Sequence, residues 1–301
     1  IRANSLEDAK ITAYHIGFVL GPCINASGRL DTAARSLALL NAKTKEEAAR
    51  LAGDLTALNQ SRKALTEKGK EEAIRIIETT ELKNDRVLVV YLPDCHESLA
   101  GIIAGRIREK YHRPAFVLTG GETSTKGSGR SIESYSMYEE LVKCADLMIQ
   151  FGGHPMAAGL SIEEKNIEEF RRRLNVNCTL TDEELRPKIV IDVPMPVSYI
   201  TKELVEQISL LEPFGKGNGK PLFAESKLRV IQPRIFGKNR NVLKCRLEDQ
   251  QGNQMEAVYF GEVEDCLQQM EKKQIMSFTY YPSINEYMGR RTIQLTIVNY
   301  Q

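Results

Sequence analysis

The sequence predicts an α/β domain followed by a small β-barrel, with a long helix leading into the first of them. Three observations carry that prediction. Residues 31–80 place apolar residues at three- and four-residue spacing in an Ala-, Leu-, Glu- and Lys-rich background. Residues 86–180 alternate short apolar runs with amphipathic stretches. The remainder is dominated by runs of β-branched and aromatic residues separated by turn signals.

The helical region 31–80 reads as one or two long helices joining two bodies, and "TKEE" offers Thr44 and Glu47 as a capping box. "RVLVVYLP" is a nearly continuous apolar run, as a buried strand requires. "SLAGIIAGRIREKY" reads as amphipathic helix, "PAFVLTGG" as strand, "YSMYEELVKCADLMIQF" as helix and "NIEEFRRRL" as a further helix. Strand–helix–strand order implies an α/β layer with some parallel pairing. "NVNCTLTDEELRPK" is the expected boundary to the last domain. Beyond a helix in "VSYITKELVEQISLL", five strands are expected: "PLFAESKLRVI", "NVLKCRLED", "NQMEAVYF", "SFTYYPSI" and "RRTIQLTIVNY". "EDQQGN" is a hairpin turn, and "EVEDCLQQMEKK" puts a helix after the third strand. Five strands with that helix suit an OB-type barrel, though other small open barrels match as well.

Composition limits the function classes. The 301 residues are 42% hydrophobic and 27% charged, ordinary for a globular chain of two or three domains. No apolar run approaches the roughly 20 residues of a membrane span, and no signal peptide is visible. The six cysteines are scattered without a C-x-x-C pair, which reads as reduced thiols in a cytoplasm. The chain opens on Ile1, and is expected to begin inside a longer protein. A net charge of +1 hides a local excess: residues 216–246 hold nine Lys/Arg and one acid, Glu225. That clustering suits a polyanion partner or, equally, a solvated basic face.

Three glycine-marked stretches stand out: "GPCINASGRLD" (21–31), "TKGSGRSI" (125–132) and "FGGHPMAAG" (151–159). Glycine lets backbone N–H groups approach an anion closely. Arg29 and Arg130 add fork-shaped guanidinium groups, Ser128 a hydroxyl and His154 an imidazole. Each stretch taken singly reads as a tight turn; three in one chain tip the reading to a phosphate site.

"GPCINASGR", "CHESLAGIIAGRI", "GSGRS", "FGGHPMAAGLSI" and "LLEPFGKGNGKPLF", in this order, closely resemble the RecJ family. These are bacterial single-stranded-DNA-specific 5′→3′ exonucleases of the DHH phosphoesterase superfamily. The resemblance covers nearly the whole chain. It implies the tail of a DHH catalytic domain over residues 1–30, a connecting helix over 31–80, a DHHA1 domain over 81–185 and an OB-fold nucleic-acid-binding domain over 186–301. It implies that Ser128 and Arg130 hold the 5′-terminal phosphate and that Asn25 and Arg29 face the substrate cleft. Gly152, Gly153 and His154 would lie close to the substrate phosphate, with His154 supporting catalysis near the scissile one. His96 matches a histidine at the first helix start of the DHHA1 domain, in a stretch that lacks the commoner tryptophan.

The resemblance also implies two divalent metals, Mn²⁺ or Mg²⁺, held by Asp and His ligands. This chain has no Asp-His-His and no Asp-x-Asp motif, so no metal is expected on it and the chain alone is expected to be inactive. The expected partner is single-stranded DNA with a 5′ end, possible further partners are other DNA-repair proteins, and no membrane is involved. OB folds bind single strands through a cationic groove and aromatic stacking. Arg234, Phe236, Lys238, Arg240, Lys244, Arg246 and Tyr259 are therefore the candidate nucleic-acid-binding residues, although either aromatic alone reads as core packing. Two alternatives remain: another DHH/DHHA1 phosphoesterase acting on short oligonucleotides or cyclic dinucleotides, and a non-catalytic single-strand-binding module.

Overall fold

The computed structural model describes residues 1–301 except Glu122, Lys238 and Met288 and the side chain of Tyr287. Chain contacts divide it into two units, Ile1–Pro187 and Lys188–Gln301.

The first unit begins with three helices, α1 (Gly21–Leu30), α2 (Ala34–Asn41) and α3 (Lys45–Thr79). Thr44 caps α3 by accepting a hydrogen bond from the Glu47 N–H at 3.1 Å, while the Glu47 carboxylate accepts from the Lys43 N–H at 3.1 Å. The stripe Leu51, Leu55, Asn59, Thr66, Ala73 and Ile77 is the buried side of this 35-residue helix. The α/β layer follows: β1 (Leu88–Leu92), α4 (Glu97–Tyr111), β2 (Ala115–Thr119), β3 (Thr125–Arg130), α5 (Met137–Val142), β4 (Met148–His154), β5 (Ala157–Ile162) and α6 (Ile167–Asn177). The sheet runs β1-β2-β3-β5-β4, with β1 and β2 parallel across the α4 crossover and the rest antiparallel. One face packs Leu88, Val90, Ala115 and Val117 against α3 and α4. The other packs Phe116, Leu118, Leu160 and Ile162 under α5 and α6.

Asn175 of α6 secures the start of β1. Its side-chain oxygen accepts from the N–H groups of Arg86 and Val87 at 2.9 and 3.0 Å, and its amide donates to the Val87 carbonyl at 3.0 Å. Arg171, one turn earlier, donates from two nitrogens to Asp85 at 2.5 and 3.2 Å.

Two local expectations are corrected. The helix expected across 135–151 stops at Val142, and residues from Met148 form β4. Pairing of Phe151 with Leu160 and of Gly152 with Gly159 overrides the local helical pattern. None of the three glycine-marked stretches is a turn over its length. "GPCINASGRL" is α1, "TKGSGR" is β3 inside the sheet, and "FGGH" ends β4, which a short turn joins to β5.

The second unit contains β6 (Val193–Pro194), α7 (Lys202–Ser209), β7 (Phe223–Phe236), β8 (Val242–Glu248), β9 (Gln254–Tyr259), α8 (Val263–Lys272), β10 (Ile275–Tyr287) and β11 (Arg290–Tyr300). Strands β7-β8-β9-β11-β10 form a barrel closed by β10–β7 pairing, with β9 and β11 parallel. Leu228, Leu243, Cys245, Leu247, Phe278, Tyr280, Leu295 and Ile297 are among the residues of its core. Asp249 builds the β8–β9 turn by accepting from the N–H groups of Gln251 and Asn253, both at 2.9 Å, with Gly252 at φ 86°. All six cysteines are free. Among the described residues no helix is long and apolar enough to cross a membrane.

Asn175→Leu leaves the Arg86 and Val87 N–H groups without their acceptor. It is expected to lower the stability of the first unit by about 1–3 kcal/mol. Calorimetry should show the melting transition of that unit shifting down while that of the barrel holds.

Candidate nucleic-acid interface

The register of the first sheet sorts its side chains into two faces. Gly127 and Gly129 point to the core. A Cβ on Gly129 would lie 2.5 Å from the Met137 sulfur and 2.6 Å from the Phe116 ring, and one on Gly127 would collide with Leu118. Lys126, Ser128 and Arg130 therefore share the opposite face. Cross-strand pairing extends this face as three rows. They run Arg130–Ala157–His154, Ser128–Gly159–Gly152 and Lys126–Ser161–Gln150. Arg130 and His154 stand two strands apart, about 10 Å at ordinary strand spacing. Gly152, His154 and Gly159 are exposed.

Helix α4 packs over β2 and β3 of this face. Gly101 is what admits Arg130 beneath it: a Cβ there would lie 2.7 Å from an Arg130 guanidinium nitrogen. That guanidinium donates to the Gly129 carbonyl at 2.7 Å, and among the described residues no carboxylate pairs with it. Burial, then the neighbouring charges of Arg29 and Arg108, hold its pKa below the ordinary guanidinium value. Arg29, near the C-terminus of α1, donates to the Ser98 carbonyl at 2.8 Å, in the first turn of α4. Asn25 lies one turn earlier on α1 and is exposed. The result is two arginines and a serine hydroxyl beside an open, glycine-bearing sheet surface, the chemistry of an anion site.

His96 has a structural job. Its Nδ1 accepts from the Ser98 N–H at 3.3 Å and caps α4. Gly153 sits at φ +154°, where a Cβ would strike the Ala157 carbonyl. Its role is to close the β4–β5 hairpin.

The barrel carries a second concavity of about 260 Å³, lined by Arg234, Phe236, Lys244 and Arg246 together with Gln232, Glu256 and Gln294. Arg234 and Lys244 are cross-strand neighbours, and the Lys244 ammonium lies 5.6 Å from the centre of the Phe236 ring. Phe236 is 46% exposed. Arg246 donates to the side-chain oxygens of Gln232 and Gln254 at 2.9 and 3.3 Å, which orient the guanidinium without neutralising it. The structure brings these four expected residues together. Arg240 lies apart, in the β7–β8 turn at φ 50°, 3.6 Å from the Glu264 carboxylate of α8. Lys238 lies outside the described residues.

Models of two known domains match this chain: the DHHA1 domain over residues 84–178 and the RecJ OB domain over residues 191–299. Curated relatives named single-stranded-DNA-specific exonuclease RecJ match it nearly end to end. The Escherichia coli protein is 35% identical over 96% of this chain, and the Salmonella typhimurium protein 33% over 99%. The chain belongs to the RecJ family.

The RecJ-family chain spans about half the length of these relatives, 52% and 53%. Crystal structures of Thermus thermophilus RecJ with Mg²⁺ and with Mn²⁺ superpose at TM-scores of 0.78 and 0.79. Identity is 26% and 25%, covering 96% of this chain and 44% and 42% of theirs. Among the described residues of this RecJ-family chain no group of three or more His, Cys, Asp or Glu could hold a metal ion.

Tyr259 is corrected as a stacking candidate. It pairs in register with buried Leu243, so it turns toward the core, where it meets Tyr300 edge-on at 5.5 Å. The opposite face of the strands instead carries the row Arg234–Lys244–Val258–Thr296–Tyr281, in which Val258 is itself buried. Tyr281 ends it with the Lys220 ammonium 5.0 Å from its ring centre. Alternation in "TYYP" puts one tyrosine on each face, but only the closed barrel decides which. Sequence reasoning also missed Gly101 and Lys126.

Gly101→Ala is expected to displace the mobile end of Arg130 and to leave the helix intact. Melting temperature should stay near that of the parent. Affinity for a 5′-phosphorylated oligonucleotide should fall several-fold, read by fluorescence anisotropy.

Proposed function

We propose that this chain is the substrate-binding portion of a single-stranded-DNA-specific 5′→3′ exonuclease acting in DNA repair and recombination, located in the cytoplasm. One observation carries the reading: Arg130, without a carboxylate partner among the described residues, shares a strand face at the edge of α4 with Ser128 and has the Arg29 charge beside it. In this role Arg130 presents parallel N–H donors to the 5′-terminal phosphate and Ser128 a hydroxyl, while Asn25 and Arg29 close the cleft from α1. Gly152 and Gly159 let the strand approach the sheet, and His154 stands in the same row as Arg130, nearer the scissile phosphate. The DHHA1 match supports the first site and the RecJ OB match the second. A partner OB domain is not what a substrate of one or two nucleotides would require.

In the relatives' crystal structures the divalent ions are Mg²⁺ and Mn²⁺. The described residues here offer no group of three or more His, Cys, Asp or Glu for such an ion, so no catalytic step is assigned to them. The bound metals would activate water and stabilise charge on the phosphoryl oxygens. Residues of this chain would hold and orient the strand. The barrel groove would hold single strand by phosphate neutralisation through Arg234, Lys244 and Arg246, with Phe236 stacking on a base.

Arg130→Ala is expected to lower affinity for 5′-phosphorylated single strand by roughly ten- to a hundredfold, from hydrogen bonds to a charged group of about 1.5–3 kcal/mol. Binding of the 5′-hydroxyl strand should be unchanged. Equal effects on both ends would remove the end-reading role.

The triple variant Arg234→Glu, Lys244→Glu and Arg246→Glu should bind single strand more weakly. Its log–log salt slope should be shallower by about 2, at ~0.7 per phosphate. A salt titration matching the parent would place binding elsewhere. Incubated alone with Mn²⁺ or Mg²⁺ and single strand, the chain should show no turnover that tracks the protein through repurification.

A further inference from the structure

A cleft of about 610 Å³ opens on the first sheet at the row furthest from Arg130, between the first turn of α4 and strands β3, β5 and β4. Lys126, Ser161, Gln150 and Ser98 supply its polar lining, with the exposed backbone of Gly152 beside them. The Lys126 ammonium donates to the Ser161 hydroxyl at 3.0 Å. No described carboxylate lies within ion-pair distance of Lys126, and Glu97 is the acid at the rim. Lys126 is thus a cation held in place by a hydroxyl, without a carboxylate partner among the described residues. None of these groups is needed to read a terminal phosphate at Arg130.

Their spacing gives them a task. Lys126 lies four residues from Arg130 on one strand, about 13 Å along it. The intervening row is Ser128–Gly159–Gly152. Side chains on one face of a strand repeat every two residues, about 6.7 Å, which is of the order of the separation of successive phosphates in an extended single strand. The glycines of the middle row leave that path free of side chains on β5 and β4.

We infer that Lys126, with Ser161 and Gln150, forms a subsite for an internal phosphate of the same strand, the third counted from the end held at Arg130. The inference rests on the phosphate-reading role proposed for Arg130. It adds that the face engages a run of phosphates in register with β3.

The test uses this chain and 5′-phosphorylated oligothymidylates of two, three and four nucleotides, compared by competition against a labelled strand. Lys126→Gln should bind the dinucleotide like the parent and bind the tri- and tetranucleotides about tenfold more weakly. Lys126→Arg should restore most of that loss, which a purely structural role for the Lys126–Ser161 contact would not predict. Arg130→Gln, measured in parallel, should weaken all three lengths. Loss at Lys126→Gln that is equal across lengths, or absent at all of them, overturns the subsite. Unchanged binding by Arg130→Gln at every length overturns the terminal-phosphate reading instead.

Discussion

The packing of Gly127 and Gly129 against Phe116, Leu118, Met137 and Leu160 is what puts three donors on the other side of β3. A strand inside a sheet has no freedom to choose which residues face the core; alternation decides it. Here the core side is so tightly filled that it tolerates no Cβ at either glycine. The register is thereby pinned, since a shift by one residue would drive Ser128 or Arg130 into Met137 and Phe116. The same contact that holds α5 on the sheet fixes the geometry of the proposed anion site.

That site is electrostatically unbalanced by construction. Burial first, and then the charge of Arg29, depress the Arg130 pKa, and Arg29 spends its hydrogen bond on a carbonyl, that of Ser98. Elsewhere in the same unit arginines are neutralised, as Arg171 is by Asp85 and Arg173 by Asp146. Like charges left facing one another cost free energy that a bound anion would recover. The barrel groove uses a milder version, in which glutamines orient Arg246 and an aromatic ring lies beside Lys244.

Much of this was legible beforehand. Apolar periodicity placed α3, α4, β1, β2 and the five barrel strands, because each buries a side that the period reveals. The motifs pointed to Ser128 and Arg130, and the local charge excess to the arginine–lysine cluster of β7 and β8. What stayed hidden depended on pairing across long sequence distance. Met148–Phe151 looks helical until Ile162, Ser161 and Leu160 are opposite it. Tyr259 turns toward the core and Tyr281 away from it because of the register of β8 with β9 and of β10 with β11, which the local sequence does not show. Gly101 looks like any small residue on a helix until an arginine from another strand lies beneath it.

The barrel's strand order has a kinetic side. β7 pairs with β8 through its second half and with β10 through its first, and β11 sits between β9 and β10. The strand latest in sequence is therefore the one that joins the two halves of the ring, and backbone bonds between Ser277 and Gln301 finish the seam. During synthesis β7, β8 and β9 emerge first as a three-stranded sheet with open edges, exposed to solvent and to other nascent chains. They stay so until residues about seventy positions downstream of the first strand arrive, an interval in which a chaperone has the most to protect.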